Sequence, residues 1–391
     1  NNAKSGKIGI EKSLDKELRG QLGSKSIEIN AFGREIRELK RIEGKVGKSV
    51  QLTIDSDVQN FCFDLLKGLS GSISVIDVSK GNYIALASAP AFDPNKFSDG
   101  ISLSDWQSLL SNKYKPLINK SISSYYPPGS TIKPLVALAA LESGISPNET
   151  FSCSGKHEVE DTSLESGIKT FHCWKKDGHK EVNMNKAIKV SCDVYFYHIA
   201  RRVGIDKIAE VCRRFGLGDE VFDLFYEEQP GIVPDKKWKR TALGKKWLIG
   251  ETLVSAIGQS YFLSTSSQLS LAFAQIVNGG KKIKPQLIYR NDEKNIKIPT
   301  LLAAQSHLKI LMKALDNATN EPGGTSYRSR ILGEKKMAGK TGTSQVRVIS
   351  EKEREEGIIK NRDLPWNKRD HGLFVGYGPS DKPKYAISVI I

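Results

Sequence analysis

The sequence predicts an α/β chain of the α+β kind, with one five-stranded antiparallel sheet and helices on both of its faces. Strand-like runs stand near both ends of the 391 residues, and the long middle reads mostly as helix. The first two runs of the sheet are also separated by a tight-turn signal, which makes their pairing antiparallel.

Bulk properties bound the answer before any element is placed. Hydrophobic residues make up 39%, charged residues 26% and aromatics 8%, the composition of a folded globular chain. The length exceeds what one core usually organises, so one large domain plus a smaller piece is expected. Lys and Arg exceed Asp and Glu by 59 to 44, a net charge of +15 that suits acidic partners. No zinc-finger spacing, RNP-type aromatic motif or concentrated basic tail accompanies that charge, so nucleic acid is not an expected partner. No run approaches the ~18 apolar residues of a spanning helix. The opening Asn1-Asn2-Ala3-Lys4 reads as the start of a trimmed piece, with any membrane anchor lying outside it.

Residues 1–45 are rich in glycine and charge, with too little apolar surface for a core of their own. They read as the remnant of a preceding domain, with Gly44 and Gly47 at the boundary and the main domain over 46–391. A compact pattern opens at 50–54. Asp55 is the expected N-cap of a helix carrying Val58, Phe61, Cys62, Leu65 and Leu66 on one face. Strands follow at 74–78 and 83–87, joined by Lys80-Gly81-Asn82. Helices are expected at 133–143, 185–201, 266–278 and 301–317, several of them in an all-helical subdomain, and the last three strands at 338–346, 372–377 and 385–391. The charged run 351–356 reads as a solvated loop.

The chemistry starts at Tyr126-Pro127-Pro128-Gly129-Ser130-Thr131-Ile132-Lys133-Pro134. Two prolines and a glycine break the preceding chain, and an apolar helix follows. Ser130 then sits at a helix N-terminus, where unpaired N–H groups and the positive dipole end favour oxyanion charge. Lys133 lies one turn on, over the same face. A serine hydroxyl needs a neighbouring base to become a nucleophile, and a lysine can be one. The spacing alone is weak, because Ser13/Lys16, Ser166/Lys169 and Ser306/Lys309 share it. Two further motifs single out Ser130: Ser191-Cys192-Asp193, and Lys340-Thr341-Gly342-Thr343 inside an expected strand. In the latter, small residues let a substrate backbone lie against the strand edge while Lys340 and the hydroxyls offer donors to a carboxylate.

Ser-x-x-Lys, Ser-x-Asp and Lys-Thr-Gly in this order resemble the penicillin-binding proteins and serine β-lactamases. Ala31-Phe32-Gly33-Arg34, residues 87–95 and Trp247-Leu248-Ile249-Gly250-Glu251-Thr252 resemble the elongation-type (class B) peptidoglycan D,D-transpeptidases of that superfamily. The resemblance implies the penicillin-binding transpeptidase fold over 46–391, and a remnant of the non-catalytic pedestal (dimerisation) domain over 1–45. It implies that Ser130 attacks the penultimate D-alanine of a stem peptide ending in D-Ala-D-Ala, with Lys133 as base and Ser191 relaying a proton. Lys340, Thr341, Gly342 and Thr343 would receive the terminal carboxylate. Backbone N–H groups of Ser130 and Thr343 would form the oxyanion hole.

β-Lactam antibiotics would acylate Ser130. The implied setting is the periplasmic side of a bacterial inner membrane, beside a membrane glycosyltransferase and other elongation-complex proteins. Asp193 stands where most relatives carry Asn, although the elongation-type subset uses Asp. A carboxylate there attracts a neighbouring ammonium, which works against Lys133 as base. Ser260 stands where relatives usually carry glycine and reads as a turn residue. A D,D-carboxypeptidase, a serine β-lactamase or sensor domain, and an inactive scaffold are the rival readings.

Cys153, Cys173, His179 and Cys192 offer three thiolates and an imidazole, the donor set of a closed structural zinc site. Some elongation-type relatives carry zinc between the first two motifs. A Cys153–Cys173 disulfide, inert buried thiols, and His172 in place of His179 stay open. Cys62 and Cys212 fall on helical patterns and read as core. The acylation chemistry itself requires no cofactor.

Overall fold

The computed structural model describes residues 5–98, 100–160, 167–289, 299–301 and 303–391; the first four residues and Ser166 lie outside them. The five expected strands form as β1 (Gly71–Asp77), β2 (Tyr83–Ala89), β3 (Ala338–Ser344), β4 (His371–Gly378) and β5 (Tyr385–Ile390). They lie in the order β2-β1-β5-β4-β3, every neighbour antiparallel. The two ends of the chain therefore meet at the β1–β5 seam in the middle of the sheet, and β3 is left as one edge.

Side chains alternate across β1 as a two-residue period requires. Ser72, Ser74 and Ile76 face the larger core, while Ile73 and Val75 face a smaller one with Ala85, Ala87, Ile387 and Val389. Helix α1 (Ser56–Leu65) covers that smaller core. Asp55 caps it as expected, accepting from the N–H groups of Asp57 and Val58 at 3.0 Å, a contribution of about 1 kcal/mol. Its buried face is rotated from the expected one. Cys62 and Leu66 are buried and Phe63 packs beside them, whereas Phe61 and Leu65 point outward. The cause is Gln59, which donates to Leu86 O at 3.0 Å and accepts from Leu86 N at 2.8 Å. β2 is the opposite edge strand, and the amide satisfies backbone groups that an edge leaves unpaired.

On the other face lie α2 (Lys133–Glu142), α3 (Met184–Lys189), α4 (Asp193–Val203), α5 (Ser266–Val277) and α6 (Gln305–Asn320). Every residue of α5 is buried. Its serines allow close approach to the sheet and stay paired there: Ser74 Oγ donates to Ser266 Oγ at 3.0 Å, and Tyr83 OH donates to Ser267 O at 2.8 Å. The expected helix over 185–201 is two helices. The chain breaks between α3 and α4, where Ser191 adopts φ 55°. The run 351–356 is a short helix capped by Ser350 rather than a loop.

The helical part is not all-helical. It carries two short antiparallel pairs, Phe151–Cys153 with Lys180–Val182 and Lys156–Glu160 with Ile168–His172. Glycines let their connections cross closely, for a Cβ on Gly178 would lie 1.9 Å from Cys153 O. At the N-terminus, Ser24–Ile29 pairs with Glu35–Ile42 in a hairpin whose residues are almost all exposed. Cys62 and Cys212 are both buried and free.

Candidate active site

Gly129–Ile132 forms one 3₁₀ turn that runs directly into α2, so Ser130 stands at the helix entrance as expected. Backbone packing fixes that turn. Gly129 N donates to Gly258 O at 2.8 Å, and a Cβ on Gly129 would lie 2.4 Å from Thr343 O. Gly342 is close as well: its Cβ would meet Thr131 Cγ2 at 2.8 Å. Its missing side chain makes room for the turn that carries Ser130. Three backbone segments distant in sequence thus touch at the nucleophile.

Lys133 is fully buried. Its Nζ donates to Asp193 Oδ1 at 2.7 Å, Ser191 O at 3.0 Å and Ser191 Oγ at 3.2 Å. The break between α3 and α4 makes this possible, because a continuous helix would consume the Ser191 carbonyl internally. A left-handed non-glycine residue costs about 1–3 kcal/mol, offset here by the contacts on its carbonyl.

A cleft of about 310 Å³ is lined by Ser130, Trp174, Ser191, Asp193, Gln259, Thr325, Thr341, Gly342 and Thr343, among others. Six of the expected residues therefore share one cavity. Alternation on β3 splits the rest of its motif: Lys340, Gly342 and Ser344 are buried, Thr343 is exposed and Thr341 is half-buried. Thr341 Oγ1 donates to Thr325 Oγ1 at 3.0 Å. Lys340 lies beneath the cleft instead of lining it, and its Nζ donates to Thr341 O at 3.1 Å. Burial, and then the charge of Lys133, hold its amine well below the usual lysine range.

Trp174, Gln259 and Thr325 carried no signal as site residues. Gln259 Nε2 donates to Thr343 O at 2.8 Å. The adjacent Ser260 adopts φ 67°, which fits its reading as a turn residue where glycine is favoured.

Cys153, Cys173, His179 and Cys192 come together with their ligand atoms within 4.8 Å of one another, all four buried. His179 Nδ1 lies 3.5 Å from Cys173 Sγ and 3.8 Å from Cys153 Sγ. A tetrahedral zinc with bonds of about 2.0–2.3 Å requires edges of roughly 3.5–3.8 Å, which the two His179–thiol distances match, and three thiols with an imidazole are a donor set that suits the ion. All five cysteines are free. The Cys173 thiol is pushed down by the hydrogen bond it shares with Cys192, whose own thiol is pushed up. His179 Nε2 is buried with no partner among the described residues.

A sheet edge facing a serine at a helix entrance, with a buried lysine one turn behind it, defines the serine acyltransferase class of site. The chain belongs to the penicillin-binding protein transpeptidase family: the model of the penicillin-binding protein transpeptidase domain matches residues 71–391, and that of the penicillin-binding protein dimerisation domain matches residues 1–52. It is 34% identical over 398 residues to the peptidoglycan D,D-transpeptidase MrdA of Haemophilus influenzae, covering 99% of this chain and 59% of the relative. It thus spans about three fifths of the length of the curated relatives it matches first. Among solved structures, PBP2 of Helicobacter pylori in complex with MreC is 32% identical with a TM-score of 0.84, over 99% of this chain and 68% of that one. PBP2 of Pseudomonas aeruginosa in complex with WCK 5153 is 30% identical with a TM-score of 0.82, over 99% and 79%.

Proposed function

We propose that this chain carries the acyl-transfer site of a peptidoglycan D,D-transpeptidase. The observation that carries the reading is the shared cleft of Ser130, Ser191, Asp193, Thr341 and Thr343 above the buried Lys133. Ser130 Oγ attacks the penultimate D-alanine carbonyl of a stem peptide ending in D-Ala-D-Ala. A C–O bond forms, the C–N bond breaks, and D-alanine leaves as the amine. The hydroxyl proton passes through Lys133 and Ser191 to that amine, which requires Lys133 first to hand one ammonium proton to its neighbour Asp193 and become a neutral amine. Backbone N–H groups of Ser130 and Thr343 steady the oxyanion, a contribution of about 3 kcal/mol per donor at such sites. Thr341 and Thr343 receive the terminal carboxylate, with Gly342 keeping the strand close to the turn and Lys340 bracing Thr341 O from beneath. A second strand's amine then takes the acyl group.

Residues 1–45 are read as the end of the pedestal domain and 46–391 as the transpeptidase domain; the exposed hairpin over 24–42 suits a segment covered by more of the same domain. Among the described residues no helix is long and apolar enough to cross a membrane. The reading puts the domain on the periplasmic side of an inner membrane, acting with a glycosyltransferase and elongation-complex proteins; the complex of the Helicobacter pylori relative with MreC supports an assembly of this kind. Cys153, Cys173, His179 and Cys192 hold one structural zinc that stiffens the wall bearing Ser191 and Asp193.

Intact-mass measurement after penicillin treatment tests the chemistry. The expected result is one drug-mass adduct, mapped to Ser130 and lost in Ser130→Ala. An unlabelled protein, or steady turnover of a chromogenic β-lactam, overturns it.

A further inference from the structure

One tryptophan outside the three motifs touches both partners of Lys133. Trp174 directly follows Cys173, whose backbone N–H is held by Gly155 O at 2.8 Å. The Trp174 backbone N–H donates to Asp193 Oδ2 at 3.0 Å, opposite the oxygen that takes Lys133. Its indole Nε1 donates to Ser191 O at 3.0 Å and Val190 O at 3.1 Å. Ser191 O is also the carbonyl that accepts from Lys133. A single residue thus grips the carboxylate and the carbonyl that fix the lysine.

The exposure of this side chain is informative. Trp174 is 61% exposed and lines the cleft. A tryptophan kept only for packing would bury its rings; this one leaves them in the cleft and directs its only polar atom inward. The carbonyls it reaches are those released by the break at Ser191, where the left-handed conformation needs outside support.

We infer that Trp174 is a positioning residue for acyl transfer: its indole N–H holds the Val190–Ser191 break in the shape that anchors Lys133 on Ser191, one turn from Ser130. This rests on the proposed role of Ser130. The claim concerns the rate of the covalent step and not the affinity of the ligand that precedes it.

Trp174→Phe separates the two, since it removes the N–H but keeps an aromatic face and the backbone bond to Asp193. Acylation by a fluorescent penicillin, followed over a range of concentrations, yields a saturation constant and a limiting rate. The expected limiting rate is about 5–30-fold below that of the unmodified chain, the factor associated with losing one such hydrogen bond. The saturation constant should stay within about twofold and the melting temperature should hold. An unchanged limiting rate overturns the inference. So does a loss confined to the saturation constant, or a fall in rate that tracks a fall in melting temperature. If the unmodified chain is not labelled at all, the reading of Ser130 fails instead.

Discussion

Lys133 Nζ lies 2.7 Å from Asp193 Oδ1, with the lysine side chain fully buried and the carboxylate side chain 12% exposed. With Ser191 O and Oγ also accepting, the three N–H groups of an ammonium all have partners, and none of the three is Ser130. The resting site therefore holds the lysine by three donated bonds, and it must give up a proton before it can act as a base.

Breaking that pair should be costly. Asp193→Ala leaves a buried ammonium with only neutral acceptors, and about 3–5 kcal/mol of stability should be lost in urea unfolding. Asp193→Asn keeps one acceptor for Lys133 but faces an amide toward the Trp174 N–H or the ammonium, so its loss should be smaller. A loss below about 1 kcal/mol in both variants would contradict a charge-paired lysine.

Gly342 makes room for the turn carrying Ser130. In Gly342→Ala the new methyl meets Thr131 Cγ2 at 2.8 Å and Pro128 O at 3.1 Å. The turn must shift by a few tenths of an ångström, and acylation should slow by about 10–100-fold with the fold intact. Adding Thr131→Ser removes the nearest clash and keeps the hydroxyl bond to Pro128 O, so part of the rate should return. Labelling kinetics on both variants check this.

Glu228 is buried and accepts from the N–H groups of Val221 and Phe222, and among the described residues no cation forms an ion pair with it. Burial raises its carboxyl to about 7. Its folded value exceeds its unfolded one, so the stability it contributes is present below about pH 4.5 and lost as pH rises through about 7. Glu228→Gln keeps an acceptor for the two N–H groups and cannot ionise. Between pH 5 and pH 8 it should therefore lose less stability than the unmodified chain, by up to about 3 kcal/mol. Parallel urea titrations at the two pH values measure the difference.

Metal analysis should find about one equivalent of zinc in the purified protein. A strong chelator should remove it, lower the melting temperature by several degrees and expose Cys153, Cys173 and Cys192 to thiol reagents. Less than a tenth of an equivalent, with those thiols protected, would return the cluster to the core.

Much of this was legible along the chain because the physics involved is local. Asp55 caps its helix, the turn at 80–82 joins β1 to β2, and Ser130 opens α2, each from signals spanning a few residues. Long-range pairing was the illegible part. The face of α1 turned because Gln59 found the β2 edge, a contact no helical period encodes. The helix over 185–201 broke because Lys133 and Trp174 supply donors to the Ser191 carbonyl from 58 and 17 residues away.

The amino-acid order alone determined which residue types this protein could bring to chemistry: a serine with a lysine one turn on, a strand rich in hydroxyls, and cysteines near a histidine. Only the folded chain decided their partners: that Lys133 rests on Asp193, that Lys340 lies beneath the cleft, and that Trp174 joins the site. Periodicity and capping act within a turn or two of the backbone. Pairing across tens of residues depends on where the sheet carries each segment, and that position exists only once the core has closed.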